Sequence, residues 1–211
     1  MRTTLIVAIA TLIGAFSSPI GAATNNLGIT ETREQRFARV MEAVRTAPFV
    51  QYGKKLAPLV KGAVKAMPKE DQRSLDDVIV VNDLPAFVHL FGLPSSEESD
   101  MLKFLSAKDA FAFVGNSPIF INGTNPTYKA FEAAFASGDS KPVRLLRAKL
   151  SHESRHSAGE KRELPCYDYE IGLLDADYRT GSLAGAESYI QQIKGYQKYL
   201  VTLEPTLSAS R

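Results

Sequence analysis

Apolar residues recur along the chain with two different periods, and the switches between them predict the order of elements. From Thr30 to Thr46, Phe37, Val40, Met41 and Val44 follow the i, i+3, i+4, i+7 spacing of an amphipathic helix, with Thr30 as its N-cap. Leu56, Leu59, Val60, Ala63 and Val64 repeat on one side of a second helix, predicted over Phe49 to Met67 and stopped by Pro68. Val78 to Val81 is a β-branched run that reads as a buried strand, ended by Asn82 and Asp83. Ser95 or Ser96, followed by Glu98, can cap a helix carrying Met101, Leu102 and Leu105. Ala110 to Val114 and Pro118 to Asn122, separated by Gly115-Asn116-Ser117, predict a two-stranded hairpin. Helices then follow over Pro126 to Ala136, Lys141 to Ser157, Glu163 to Tyr178 and Ala184 to Leu203, punctuated by Gly138, Gly159 and Gly181. This order predicts an α+β fold: a mainly helical single domain in which a small antiparallel sheet precedes the helix over Lys141 to Ser157.

The first residues have a different pattern. Met1-Arg2 give a positive start, Thr3 to Phe16 are apolar, and Ser17-Ser18-Pro19 break the run before the small residues Gly21-Ala22-Ala23. This is the pattern of a secretory signal peptide over residues 1–23, cut after Ala22 or Ala23. Its apolar run is shorter than the roughly 20 residues that span a bilayer, and charged residues interrupt every later apolar stretch. Residues 24–211 are therefore expected to form one domain, secreted or periplasmic, with no stable membrane insertion after cleavage. Charge narrows the partners further. The chain has 25 Lys+Arg against 23 Asp+Glu, and no long run of one sign that would grip a phosphate backbone, so nucleic acid is disfavoured. A lone cysteine, Cys166, excludes an internal disulfide framework and a Cys-rich zinc ribbon, and in an oxidising compartment it is expected to be buried.

Chemistry concentrates at residues 152–156, His-Glu-Ser-Arg-His. On a helix, a four-residue separation puts His152 and His156 one turn apart on one face, so both imidazoles can reach one Zn2+. Glu153, beside the first of them, can take a proton from water at the metal. Two of the three histidines fall in this motif, whereas His89, between Val88 and Leu90, reads as a packing or surface residue. A third ligand must come from elsewhere. The extended HExxHxxGxxH pattern fits Gly159 but requires a ligand where Arg162 stands, and no methionine follows the motif to form a Met-turn. Glu163 and Glu170, on the following helix, remain as alternatives, with Glu163 nearer the turn and Glu170 further along the same helical face. Tyr167, Tyr169 and Arg155 are candidates to stabilise an oxyanion, and Asp168 to orient a histidine through its second nitrogen. Asn122-Gly-Thr124 matches a glycosylation sequon without bearing on the chemistry.

The stretch Leu150 to Gly159, followed by Glu163-Leu-Pro-Cys-Tyr167, resembles the compact bacterial gluzincin peptidases. The resemblance covers roughly residues 110–178. It implies a zincin-type fold, zinc held by His152, His156 and Glu163 with Glu153 as general base, and a small residue three positions after the glutamate, where Cys166 stands. It also implies an antiparallel sheet before the HExxH helix, with an edge strand, Pro118 to Asn122, that holds an extended peptide or protein substrate. The expected function is a secreted zinc-dependent peptidase; the alternative is a catalytically inactive zincin-fold binding or structural module.

Overall fold

The computed structural model describes residues 32–115 and 118–208, and every structural statement below concerns these. The signal-peptide reading of residues 1–23 and the Thr30 cap lie outside them. Among the described residues, no helix is long and apolar enough to cross a membrane. Chain contacts gather in two compact units, residues 32–50 with 81–108 and residues 51–80 with 109–208.

In the first unit, helix α1 (Arg33–Thr46) begins with a capping box. Thr32 Oγ1 accepts from the Gln35 amide at 3.2 Å, while Gln35 Oε1 accepts from the Thr32 amide at 2.8 Å. Val40, Met41 and Val44 are buried, as their spacing predicts. Two further helices complete the unit. One of them, α2 (Leu84–His89), has no counterpart in the sequence reading; it is capped by Asp83, whose carboxylate accepts from the Ala86 amide. The other, α3 (Ser95–Ser106), forms where expected and buries Met101 and Leu105, but the expected serine cap is corrected: Pro94 holds the N-cap position without a side-chain bond, and Ser95 is the first helical residue. His89 lies on the surface, its side chain 80% exposed beside Glu98.

The second unit holds, but for the end residues Val50 and Val81, a four-stranded sheet in the order β1 (Val50–Tyr52), β2 (Val78–Val81), β4 (Ile119–Asn122), β3 (Ala110–Ala112), in which β3 and β4 pair antiparallel with Phe111 opposite Phe120. The sheet as a whole is mixed. Every residue of β2 and β4 is buried, as suits the two inner strands. This corrects one expectation: Pro118 to Asn122 leads into an interior strand, and the edges are β1 and β3. A second correction concerns the helix expected over Phe49 to Met67. Val50–Tyr52 pair into the sheet, Gly53 turns the chain at φ +55°, and helix α4 (Pro58–Ala66) starts only at Pro58, with Ala57 extended before it. A Cβ at Gly53 would also meet Asp76 Oδ1, the tip of an exposed side chain that can move aside, so it is the positive φ that favours glycine here. The sequon is closed to modification in this fold: Asn122 is buried, and its Oδ1 accepts from both the Thr124 amide and hydroxyl.

Helix α5 (Pro126–Ala136) is capped by Asn125, and α6 (Lys141–Ser157) begins where Asp139 accepts from the Lys141 amide. Helices α7 (Glu163–Arg179) and α8 (Glu187–Ser208) follow. The fold is thus the mainly helical α+β arrangement that the periodicity predicts, with the sheet preceding α6. α6 is the central element, packing against α4, α5, α7, β3 and β4. Its apolar residues Leu146, Ala148 and Leu150 join Leu59, Val60, Val80, Ile121 and Leu174 in one core.

α6 and α7 run antiparallel as a helical hairpin. Its open end is tied by Asp177, whose carboxylate accepts from Arg144 at 3.0 Å and from Arg147 at 2.8 Å. Arg144 is well exposed but Asp177 and Arg147 are not, so the pairing combines a screened contact with a sheltered one. Asp177→Ala is expected to lower stability by about 1–3 kcal/mol through the guanidinium it leaves without its carboxylate. Urea unfolding of the two proteins side by side measures this, and an unchanged midpoint would show that the pairing contributes nothing.

Candidate metal centre

The HExxH segment occupies the last turns of α6. From Lys149 to Ser157 every residue except Arg155 is buried, which is unusual for a helix carrying this many polar groups. Each of them needs a partner within the protein. Ser154 finds two: Arg73 donates to its hydroxyl at 3.1 Å and to its carbonyl at 3.0 Å, and the hydroxyl donates to the Asp71 carbonyl. Arg155 lies 3.6 Å over the ring of Tyr169, whose hydroxyl donates to Glu70.

Gly159 closes the helix. At φ +113° it adopts a conformation open to glycine, its amide donates to the His156 carbonyl, and the Glu160 amide donates to Arg155, which together form a Schellman motif. The turn has a chemical result, because it sets the Glu160 carbonyl 2.7 Å from His156 Nδ1. Nδ1 must therefore be the protonated nitrogen of a neutral His156, leaving the Nε2 lone pair free to bind. Arg162 binds the Glu160 carboxylate through its own amide and guanidinium and so holds the loop closed.

α7 then starts at Glu163, and residues 163, 166, 167 and 170 share the face toward α6. Glu163 Oε2 stands 3.4 Å from His152 Nε2 and 3.6 Å from His156 Nε2. Donor atoms bound to zinc at about 2.0–2.1 Å in a tetrahedral arrangement stand about 3.3–3.4 Å apart. Glu163 Oε2 thus stands near ligand-to-ligand distance from the Nε2 atom of each histidine, and His156 Nε2 is buried without a hydrogen-bond partner. Glu153 Oε1 flanks them, 4.0 Å from His152 Nε2. Glu170 is on the other side of the imidazole. Its Oε2 is 3.0 Å from His152 Nδ1, an ion-pair distance at an angle too oblique for a regular hydrogen bond.

A second donor set shares the histidines: His152, His156 and Cys166 carry ligand atoms within 4.8 Å of one another, all buried. Cys166 Sγ, however, is 3.8 Å from His156 Nδ1, the nitrogen already occupied by the Glu160 carbonyl, and 3.5 Å from the Arg162 carbonyl. Cys166 therefore lies on the Nδ1 side of the His156 ring and Glu163 on its Nε2 side, so the two sets differ in which nitrogen of His156 faces the third donor. The field around these groups favours a cation. Burial opposes protonation of His152, yet Glu163 and Glu170 outweigh it and the shift is upward. His156 is pushed up to about 11, where burial again opposes and Cys166, Glu163 and Glu153 prevail. Glu153 is held above the usual carboxylate range, chiefly by burial, against the pull of His152, His156 and Lys149.

The structure brings together His152, Glu153, His156 and Glu163, the four residues singled out in the sequence. It separates others. Asp168 accepts from Gln197 on α8, so the carboxylate at His152 Nδ1 is Glu170 instead. Arg155 and Tyr169 are stacked on each other, while Tyr167 packs edge-on against His152 with centroids 4.6 Å apart. Sequence reasoning missed Lys149 and the Glu160 carbonyl; the signal for Lys149 was a charge between Leu146 and Leu150 on a helix stretch otherwise patterned for burial. Compared with known proteins, the chain matches no family model, no curated protein and no solved structure.

The two donor sets predict different outcomes. With the His-His-Glu set, Glu163→Ala is expected to lower zinc affinity far more than Cys166→Ala, and cobalt loaded in place of zinc should show no thiolate-to-metal charge-transfer absorption. A strong charge-transfer band that disappears in Cys166→Ala would assign the ligand to the thiol instead.

Proposed function

We propose that this chain is an exported, zinc-dependent peptidase of gluzincin-like type. The observation that carries this reading is the approach of Glu163 Oε2 to both His152 Nε2 and His156 Nε2, at 3.4 and 3.6 Å, with Glu153 beside them. The third ligand of this set, the Glu163 carboxylate, comes from the first turn of the helix after HExxH, which is the donor set the resemblance to gluzincins implies. Export is supported by the leader-like residues 1–23.

His152, His156 and Glu163 would hold the zinc, and the Glu160 carbonyl and Glu170 would fix the two imidazoles by their Nδ1 atoms. Zinc in such a site supplies Lewis acidity toward a carbonyl oxygen and lowers the pKa of water. Glu153 takes a proton from the attacking water and returns it to the amine nitrogen as the peptide bond breaks. Burial suits it to that exchange, since a carboxylate in a poorly solvated site binds its proton more strongly than one in water. The substrate class is a peptide or protein.

One observation favours the other reading, an inactive zincin-fold binding or structural module: Glu153 is 6% exposed and His152 only 2%. The two readings part at Glu153. For a peptidase, Glu153→Gln should retain one zinc per chain and lose hydrolysis of a peptide library by at least about 100-fold, because Gln keeps the shape and removes the base. Zinc content by metal analysis, run beside the hydrolysis assay, checks both halves. Stoichiometric zinc in the unaltered protein with no cleavage of any library member would establish the module.

A further inference from the structure

Lys149 is a buried charged group on α6 that the proposed chemistry leaves unused. Its side chain is 7% exposed, and Nζ lies 3.2 Å from Oε2 of the fully buried Glu170. That same oxygen is the one 3.0 Å from His152 Nδ1. Nζ also stands 5.4 Å over the ring of Tyr167, whose edge-on contact is His152 itself. Asp109, Tyr189 and Glu153 are further titratable groups that act on it. Lys149, Tyr167 and Glu170 thus form a wall behind the His152 imidazole, built from one residue of α6 and two of α7.

Such a wall is expensive. Desolvating an ammonium and a carboxylate costs several kcal/mol per ion, and well-packed apolar side chains of similar volume often serve stability as well. Orientation of an imidazole does not by itself need a charged pair, since Nδ1 of His156 is met by the Glu160 carbonyl and the Cys166 thiol, neither of them part of an ion pair. What a carboxylate adds is greater basicity of the imidazole and a fixed ring plane. It can add these only if its own position is fixed, and Glu170 lies at mid-helix with a flexible side chain.

We propose that Lys149 is a positioning residue for the metal centre: its buried ion pair holds the Glu170 carboxylate against His152 Nδ1 and thereby aims His152 Nε2 at the cation. This rests on the zinc reading above. Lys149 acts on the metal only through Glu170, and that dependence is what an experiment can isolate.

The test is a double-mutant cycle on the full mature chain, with zinc affinity measured against a competing chelator for the unaltered protein, Lys149→Met, Glu170→Gln and the double variant. Each single substitution is expected to weaken zinc binding about 10- to 100-fold, the range for groups that orient a ligand. The double variant should bind zinc no more weakly than Glu170→Gln alone. Lys149→Arg, which keeps the ion pair, should recover most of the affinity. The visible absorption of the cobalt-loaded proteins gives a signature that stability alone does not move: Lys149→Met and Glu170→Gln should share one altered spectrum. Losses that multiply in the double variant, or wild-type affinity in Lys149→Met, would overturn the proposal while leaving the zinc centre in place. If Lys149→Met fails to fold, the comparison of Glu170→Gln with the double variant decides alone. Absence of zinc from the unaltered protein would instead remove the zinc reading, and this inference with it.

Discussion

A buried imidazole, carboxylate or ammonium has to find its partners inside the protein, and α6 carries four such groups within two turns: Lys149, His152, Glu153 and His156. That demand governs the rest of the second unit. The partners come from α7, in an order that only an antiparallel pairing supplies: Glu163 at the closed end, Glu170 a layer behind, Asp177 at the open end with Arg144 and Arg147. A slip of α7 by one turn, about 5.4 Å, would move every one of these carboxylates away from its cation or histidine at once. The helical hairpin is therefore held in register mainly by polar contacts, while the apolar core around α4, the sheet and α8 supplies the burial that makes those contacts obligatory.

The two histidines are supported in different ways, and the difference follows from where each sits. His156 lies in the last turn of α6, where the chain reverses, and a backbone carbonyl of that reversal is within its reach. His152 is a full turn earlier, with no free backbone carbonyl nearby because the helix uses its own. Only a side chain from another element can reach Nδ1 there, and Glu170 is the one that α7 presents.

Local signals in the sequence were good guides and long-range ones were not. The bounds of α6, the start of α7 and the pairing of β3 with β4 follow from capping residues, glycines and alternation within short windows. His152, Glu153, His156 and Glu163 were legible because the helical period and one turn bring them together. The interior position of β4 was not, since strand order depends on β1 and β2, which come from a distant part of the chain and share no local pattern with it. The predicted helix over Phe49 to Met67 failed for a related reason: Phe49, Tyr52 and Leu56 have a spacing compatible with helix, whereas Val50 and Tyr52 also alternate as in a strand, and the neighbouring strand decides between the two. Glu170 and Asp168 are close in sequence, and which of them faces α6 depends on the rotation of α7, which that helix's weak amphipathic pattern leaves undetermined.

Gly159 has a consequence for the order of assembly. By closing α6 in a tight turn, it places the whole His-His-Glu set between residues 152 and 163. The entropy lost on bringing the three donors together is then that of closing a very short loop, and it does not grow with the separation of the sheet strands along the chain. The donors belong to a single two-helix unit, with low contact order of their own. In the proposed site an arriving cation would meet a local clamp whose geometry is set by the hairpin and does not depend on the pairing of distant strands.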